Sequence, residues 1–241
     1  MPFTFSHPAI VLPLRLAPGY FSLTGLVIGS MSPDFEYFIR MRPEAVHGHL
    51  PEGVFYFDLP LSLLLAFLFH NIVRDSLLEN LPQVFRSRFI ECKNFDWNNY
   101  FRSKWLIVIC SIIIGAFSHL FWDGFTHATG FFVKEYPQMR NKISVAGLPL
   151  PYYNVLQHLS TLVGGLIILV TVLRMPSVKT AEKKTVRYWA YVALISAMVV
   201  ALRMVGGISI RQYGDLFVSG ITGFFIALML IPFILNRETA S

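Results

Sequence analysis

The sequence predicts an all-α, polytopic membrane protein of about five transmembrane helices, preceded by a half-inserted helical region at the N-terminus. Three observations lead there. Five runs of 18 or more mostly apolar residues lie near 54–73, 105–122, 155–173, 188–205 and 216–235, the length a helix needs to cross ~30 Å of hydrocarbon. Of the 241 residues 54% are hydrophobic and only 14% charged, which excludes disorder and a collagen-like fibre. The basic residues, finally, collect between the apolar runs.

Residues 8–31 form a weaker apolar stretch broken by Pro13, Arg15, Pro18 and Gly19, which fits a re-entrant pair of short helices better than a span. The opening MPFTFSHP lacks a basic n-region and a cleavage site, so these first helices are expected to stay in the mature protein. The run at 54–73 is irregular at its start, where Asp58 and Pro60 sit. The 74–104 loop, with Trp97, Tyr100 and Phe101 among charges, reads as an amphipathic helix on a membrane surface. Gly164-Gly165 and Gly220-x-x-Gly223 read as close helix contacts, and the whole as a single membrane domain in which 1–53 precedes a bundle over 54–241.

Charge sets the expected orientation. The 74–104 loop carries six Lys and Arg and the 174–187 loop five, against three in 123–154 and Arg211 alone in 206–215. Basic loops are retained in the cytoplasm, so 1–53, 123–154 and 206–215 are expected outside a cytoplasmic, that is inner, membrane. A net charge of +6 spread this way sets topology and gives no basic patch for nucleic acid. Cys92 and Cys110 lie in a cytoplasmic loop and an apolar run, so no disulfide is expected.

Six of the seven histidines (His7, His47, His49, His119, His127, His158) fall on the outer side of this topology, and only His70 lies at an inner end. Acids gather with them: Asp34, Asp58, Asp123 and Asp215. Ionisable groups at membrane depth are costly, and are paired or functional. The sharpest pattern is SHLFWDGFTH (118–127). On a helix His119 and Asp123, spaced i,i+4, share a face and can bind one ion. His127, four residues further, reaches a second ion through Asp123 or folds back after Gly124. Taken singly, each residue also suits a hydrogen-bonded or capping role. Taken as a set, His7, Asp34, His49, His119 and Asp123 read as metal ligands.

Four blocks, MPFTFSHPAIVLPL (1–14), IGSMSPDFEYF (28–38), HGHLPEGVFYFDLP (47–60) and SHLFWDGFTH (118–127), resemble the bacterial integral-membrane proteins of "domain of unknown function 4184", a name that implies no activity. A looser similarity is to membrane-bound metal-dependent hydrolases. The ligand order is also similar to the first part of that in zinc-dependent phospholipase C and related single-strand nucleases. Their second HxxxD is missing, since Leu162 stands four residues after His158; this implies one or two ions instead of three.

The resulting expectation is a metal-dependent hydrolase acting on a lipid or lipid-linked substrate, with phosphoesters included, at the outer leaflet. His7, Asp34, His49, His119, Asp123 and His127 are the ligand candidates, and Asp58 or Glu36 the general base. Arg203, Arg211 and His158 are candidates for holding the substrate. Oxygen and nitrogen ligands without Cys suit a divalent metal, Zn²⁺ first, then Mn²⁺ or Fe²⁺. The alternative is a scaffold or small-solute transporter with a structural His/Asp cluster. The sequence leaves the oligomeric state open.

Overall fold

A computed structural model describes residues 3–181 and 185–239 of the chain, with side chains to 235. It is helical almost throughout: α1 (Pro8–Val11), α2 (Leu23–Arg40), α3 (Val54–Asn80), α4 (Gln83–Phe89), α5 (Trp97–Thr126), α6 (Phe131–Glu135), α7 (Tyr152–Leu173), α8 (Val186–Val205) and α9 (Tyr213–Thr239). Five segments among the described residues, Val54–Asn80, Trp97–Glu135, Tyr152–Leu173, Val186–Val205 and Tyr213–Leu235, are long and apolar enough to cross a membrane. Each contains one of the runs read from the sequence. The protein is an all-α polytopic one by this measure, and both cysteines are free and exposed.

The chain forms two compact units, each assembled from three stretches. One takes the chain up to Asp34, His47–Leu63 and Lys104–Thr171. The other takes Phe35–Val46, Leu64–Ser103 and Val172 onward. Residues 1–53 are thus divided between the two. The first unit buries Leu26, Val54, Val108, Ile112, Ala116 and Val133 completely. The second is built on Val73, Tyr188, Val192, Ile195, Ala227, Leu228 and Ile231.

Three local expectations change. The broken stretch 8–31 gives a short helix, Pro8–Val11, a 3-10 segment, Leu12–Leu16, and then an 18-residue helix, α2, which runs through Pro33 to Arg40. Pro33 lacks the N–H that would bond the Gly29 carbonyl; the Ser32 hydroxyl donates to that oxygen at 3.0 Å instead, and the helix continues. The 74–104 stretch is not one surface helix. Its first turns extend α3 to Asn80, Pro82 interrupts the chain, α4 follows, and Trp97 opens α5, whose helical dihedrals fail only at Lys104 (φ −131°, ψ 24°). Lastly, β1 (Lys142–Val145) and β2 (Leu148–Pro151) form an antiparallel hairpin that apolar patterning did not reveal. Its turn is Ala146-Gly147, both with positive φ, the twist that a two-residue hairpin requires.

Of the expected glycine contacts, Gly164 and Gly223 are close: a Cβ would lie 2.8 Å from Ser6 O and from Ser196 Cα respectively. Gly165 and Gly220 have room, with nothing nearer than 3.9 and 3.8 Å. The contact that places the site was not foreseen. A Cβ on Gly29 would stand 2.3 Å from Ile112 O, and one on Gly115 2.5 Å from Leu26 O. Bare backbone at both positions lets α2 and α5 cross almost in contact, as small residues do between membrane helices.

Candidate metal centre

That crossing sets Asp34, near the middle of α2, beside His119 on α5. Gly48 brings in the third element, because a Cβ there would lie 2.6 Å from Pro33 O; the loop therefore passes over α2 with His49 next to Asp34. Asp123 stands one turn after His119 on the same face of α5. Asp34 and His119 are fully buried and Asp123 is 6% exposed.

One ligand atom from each of Asp34, His49, His119 and Asp123 lies within 4.8 Å of all the others. His119 Nε2 is 3.5 Å from Asp34 Oδ1 and 3.3 Å from Asp123 Oδ2. His49 Nε2 is 3.5 Å from Asp34 Oδ1 and 3.4 Å from Asp123 Oδ2. Charge-assisted hydrogen bonds are shorter, about 2.7–2.9 Å. Ligands of a tetrahedral ion bound at 2.0–2.1 Å stand about 3.3–3.4 Å apart; the four His–Asp separations are close to this, and all six pairs of atoms lie within 4.8 Å. Four side chains thus converge closely enough to pair with one another and to face a common cation.

The surroundings aim these atoms inward. His119 Nδ1 donates to the Ser30 carbonyl at 2.8 Å, which leaves Nε2 with its lone pair toward the cluster. The Thr4 hydroxyl donates to Asp34 Oδ2 at 2.7 Å, so Oδ1 is the oxygen left for the centre. Two buried carboxylates facing two imidazoles carry a charge of −2 when both rings are neutral, and a divalent cation balances it. Burial pulls the His49 imidazole down, yet the carboxylates of Asp123 and Asp34 outweigh this and raise it to about 9. The cluster therefore already favours positive charge at that position.

The other candidates are distributed as follows. His7 stacks on His119, with ring centroids 3.7 Å apart and planes at 18°, and its Nε2 lies 3.6 Å from Asp123 Oδ1. Burial, then the neighbouring His119, lowers its pKa to about 3, so the ring is neutral. His127 Nδ1 lies 3.4 Å from Asp123 Oδ2 but also 3.3 Å from the Asp123 carbonyl. Both rings flank the four-atom set through Asp123. His47 is exposed, with Nδ1 3.1 Å from Tyr56 Oη, so the ligand of the His47/His49 pair is His49. Asp58 is fully buried at the start of α3 and is not one of the four.

Four further candidates make other contacts or stand exposed. Glu36 follows Asp34 by two residues, about 200° around the helix, and so cannot share its face. Its Oε1 accepts the Val46 N–H at 2.8 Å and pairs with Arg40 at 3.4 Å, which ties down the turn after α2 and belongs to the second unit. Arg203 donates to the Met41 carbonyl at 3.1 Å in that unit, Arg211 is exposed there, and His158 is exposed on α7. Glu36→Ala is expected to cost about 1 kcal/mol by removing the acceptor of the Val46 N–H, and Glu36→Gln less, with bound metal unchanged in both. Thermal unfolding in detergent beside metal analysis checks this.

Thr4 and the Ser30 carbonyl were missed. A backbone oxygen leaves no mark in a sequence, and a hydroxyl thirty residues from its carboxylate has no diagnostic spacing.

No curated protein and no solved structure matches the chain, so the similarity to metal-dependent hydrolases rests on the residues alone. The model of the family "Domain of unknown function (DUF4184)" matches residues 1–233, nearly the entire chain, and the protein belongs to that family.

Proposed function

We propose that the protein is a membrane-embedded, metal-dependent hydrolase acting on a lipid or lipid-linked ester, phosphoesters included. The observation that carries this reading is the set of four N···O separations between 3.3 and 3.5 Å, longer than charge-assisted hydrogen bonds and near the spacing of ligands on one ion. A bound divalent ion, Zn²⁺ first, would supply Lewis acidity and, taking a water as a further ligand beside the four side chains, would bring its pKa toward ~7.

The chain's own part is positioning. Asp34, His49, His119 and Asp123 hold the ion, Thr4 and the Ser30 carbonyl fix two of those side chains, and His7 and His127 border Asp123. A neutral His7 ring packed flat on His119 excludes water from that side without adding charge. A scaffold would use the same residues as ion pairs, and purified protein that holds no metal would favour it. Transport would require acids continuing through the membrane; Asp215, in the first turn of α9, is the sole acid on α7, α8 and the described side chains of α9.

The decisive assay measures hydrolysis of phospholipids and lipid-linked phosphates with and without chelator. Chelator-sensitive turnover supports the reading; metal-free, fully stable protein with no turnover sinks it.

The site's side of the membrane belongs to the same proposal. Eleven basic residues in 74–104 and 174–187 against three in 123–154 favour the outer leaflet. Reporter fusions at Asn94 and Gln138 are expected to give opposite signals, cytoplasmic for Asn94. The reverse result moves the site to the inner leaflet.

A further inference from the structure

We propose that the cavity between the N-terminal segment and α7 receives one hydrocarbon chain of a membrane lipid, the chain whose head would be cut at the metal centre; this rests on the hydrolase reading above. The cavity holds about 150 Å³ and is walled by His7, Ala9, Ile10, Trp122, Val163 and Ile167. His7 is common to both sites: one face of its ring covers His119, its Nε2 approaches Asp123, and the residue also lines the cavity. Trp122 precedes Asp123 in the chain. The cavity thus begins where the metal cluster ends.

Its shape depends on one glycine. A Cβ on Gly164 would press to 2.8 Å from Ser6 O, so Gly164 lets the N-terminal segment lean on α7, and the Ser6 hydroxyl donates to the Thr161 carbonyl at 3.0 Å. Beside that seam the wall is open. Ile10, Trp122, Val163 and Ile167 line the cavity yet are 37–46% exposed, so they face outward as well as inward.

What lies outside is set by α7, which is long and apolar enough to span a membrane and has only 6% of its span buried. Leu162 and Leu166 beside the opening are exposed. The medium around such a helix is hydrocarbon, and a mostly apolar cavity that opens into it takes a hydrocarbon guest. An apolar cavity of similar size accepts benzene, roughly six carbons, so the guest is the part of a chain nearest its head group, with the remainder in the bilayer.

The test uses full-length protein in phosphatidylcholine vesicles containing phosphatidylglycerol with a diazirine on an acyl carbon near the ester. After illumination, adducts are mapped by mass spectrometry. Adducts at Ile10, Trp122, Val163 or Ile167 are expected to exceed those at Leu162, and to fall at least fivefold in Val163→Phe and in Ala9→Leu, which fill the cavity from opposite walls. Unlabelled phosphatidylglycerol should displace them from unaltered protein, a comparison that needs no variant. Adducts spread evenly over the outer face of α7 and unchanged in both variants overturn the proposal. The two readings fail separately: cavity adducts without any turnover reject the hydrolase, while chelator-sensitive turnover indifferent to Val163→Phe rejects the cavity.

Discussion

Asp123→Asn and His119→Ala are expected to strip the protein of stoichiometric metal and to abolish hydrolysis, while folded protein is recovered in detergent. Asp123 is the most connected group of the cluster: its Oδ2 lies 3.3–3.4 Å from His119, His49 and His127, and its Oδ1 3.6 Å from His7. An amide keeps the size but removes the charge that balances the cation. His119→Ala deletes a fully buried ligand and leaves two carboxylates facing each other. Thr4→Val should act more mildly, lowering metal affinity about 10–100-fold, the usual effect of losing a hydrogen bond that orients a ligand. His70→Ala is the control. His70 stacks on Trp97 at 4.7 Å in the second unit, and its loss should lower stability with metal content unchanged. Elemental analysis of the four proteins beside wild type is the measurement; full metal occupancy in Asp123→Asn would remove the cluster from consideration.

Chelation is expected to destabilise the protein by about 4 kcal/mol when the ion had been present at ~1,000 times its Kd, an unfolding midpoint on the order of 10 °C lower. The direction follows from the buried charge: without the cation, Asp34 and Asp123 have only the imidazoles to face. Acid should have a related effect. With His49 raised to about 9, this ring is protonated at neutral pH in metal-free protein, so the ion must displace that proton to bind. Proton and metal compete for Nε2; apparent affinity therefore rises with pH up to about 9 and falls about tenfold per unit below it. Calorimetric titration with Zn²⁺ in buffers of different ionisation enthalpy reads the released proton directly. Affinity independent of pH between 6 and 8 would mean that His49 is not a ligand.

The spans and the ligand residue types were legible for simple reasons. Apolar length is a one-dimensional property, and membrane helices express it without interference from tertiary contacts, so all five runs reappear in the structure. HxxxD is equally local, because an i,i+4 pair on any helix shares a face. Asp34 and His49 were legible as members of a set of ionisable residues gathered on one side of the expected topology, and Glu36 drew attention beside Asp34. Sequence oddity does not tell which way a side chain points. Two positions along a helix reverse the direction, which put Asp34 in the cluster and Glu36 on the turn at Val46.

By itself the sequence determined the all-α membrane class, the five apolar helices and the pair on one face of α5, since each depends on spacing within one segment. Only the tertiary structure decided that four residues from three elements meet. That outcome rests on Gly29 and Gly115 allowing α2 to lie against α5, on Gly48 laying a loop over Pro33, and on Ser32 keeping α2 helical through its proline. It also decided that Arg203 and Glu36 serve backbone groups, that His158 faces outward, and that His7 is shared between cluster and cavity. The physical reason is common to all of them: convergence depends on backbone separations of a few ångströms between segments far apart in the chain, and those are set by what is absent from a side chain as much as by what it carries.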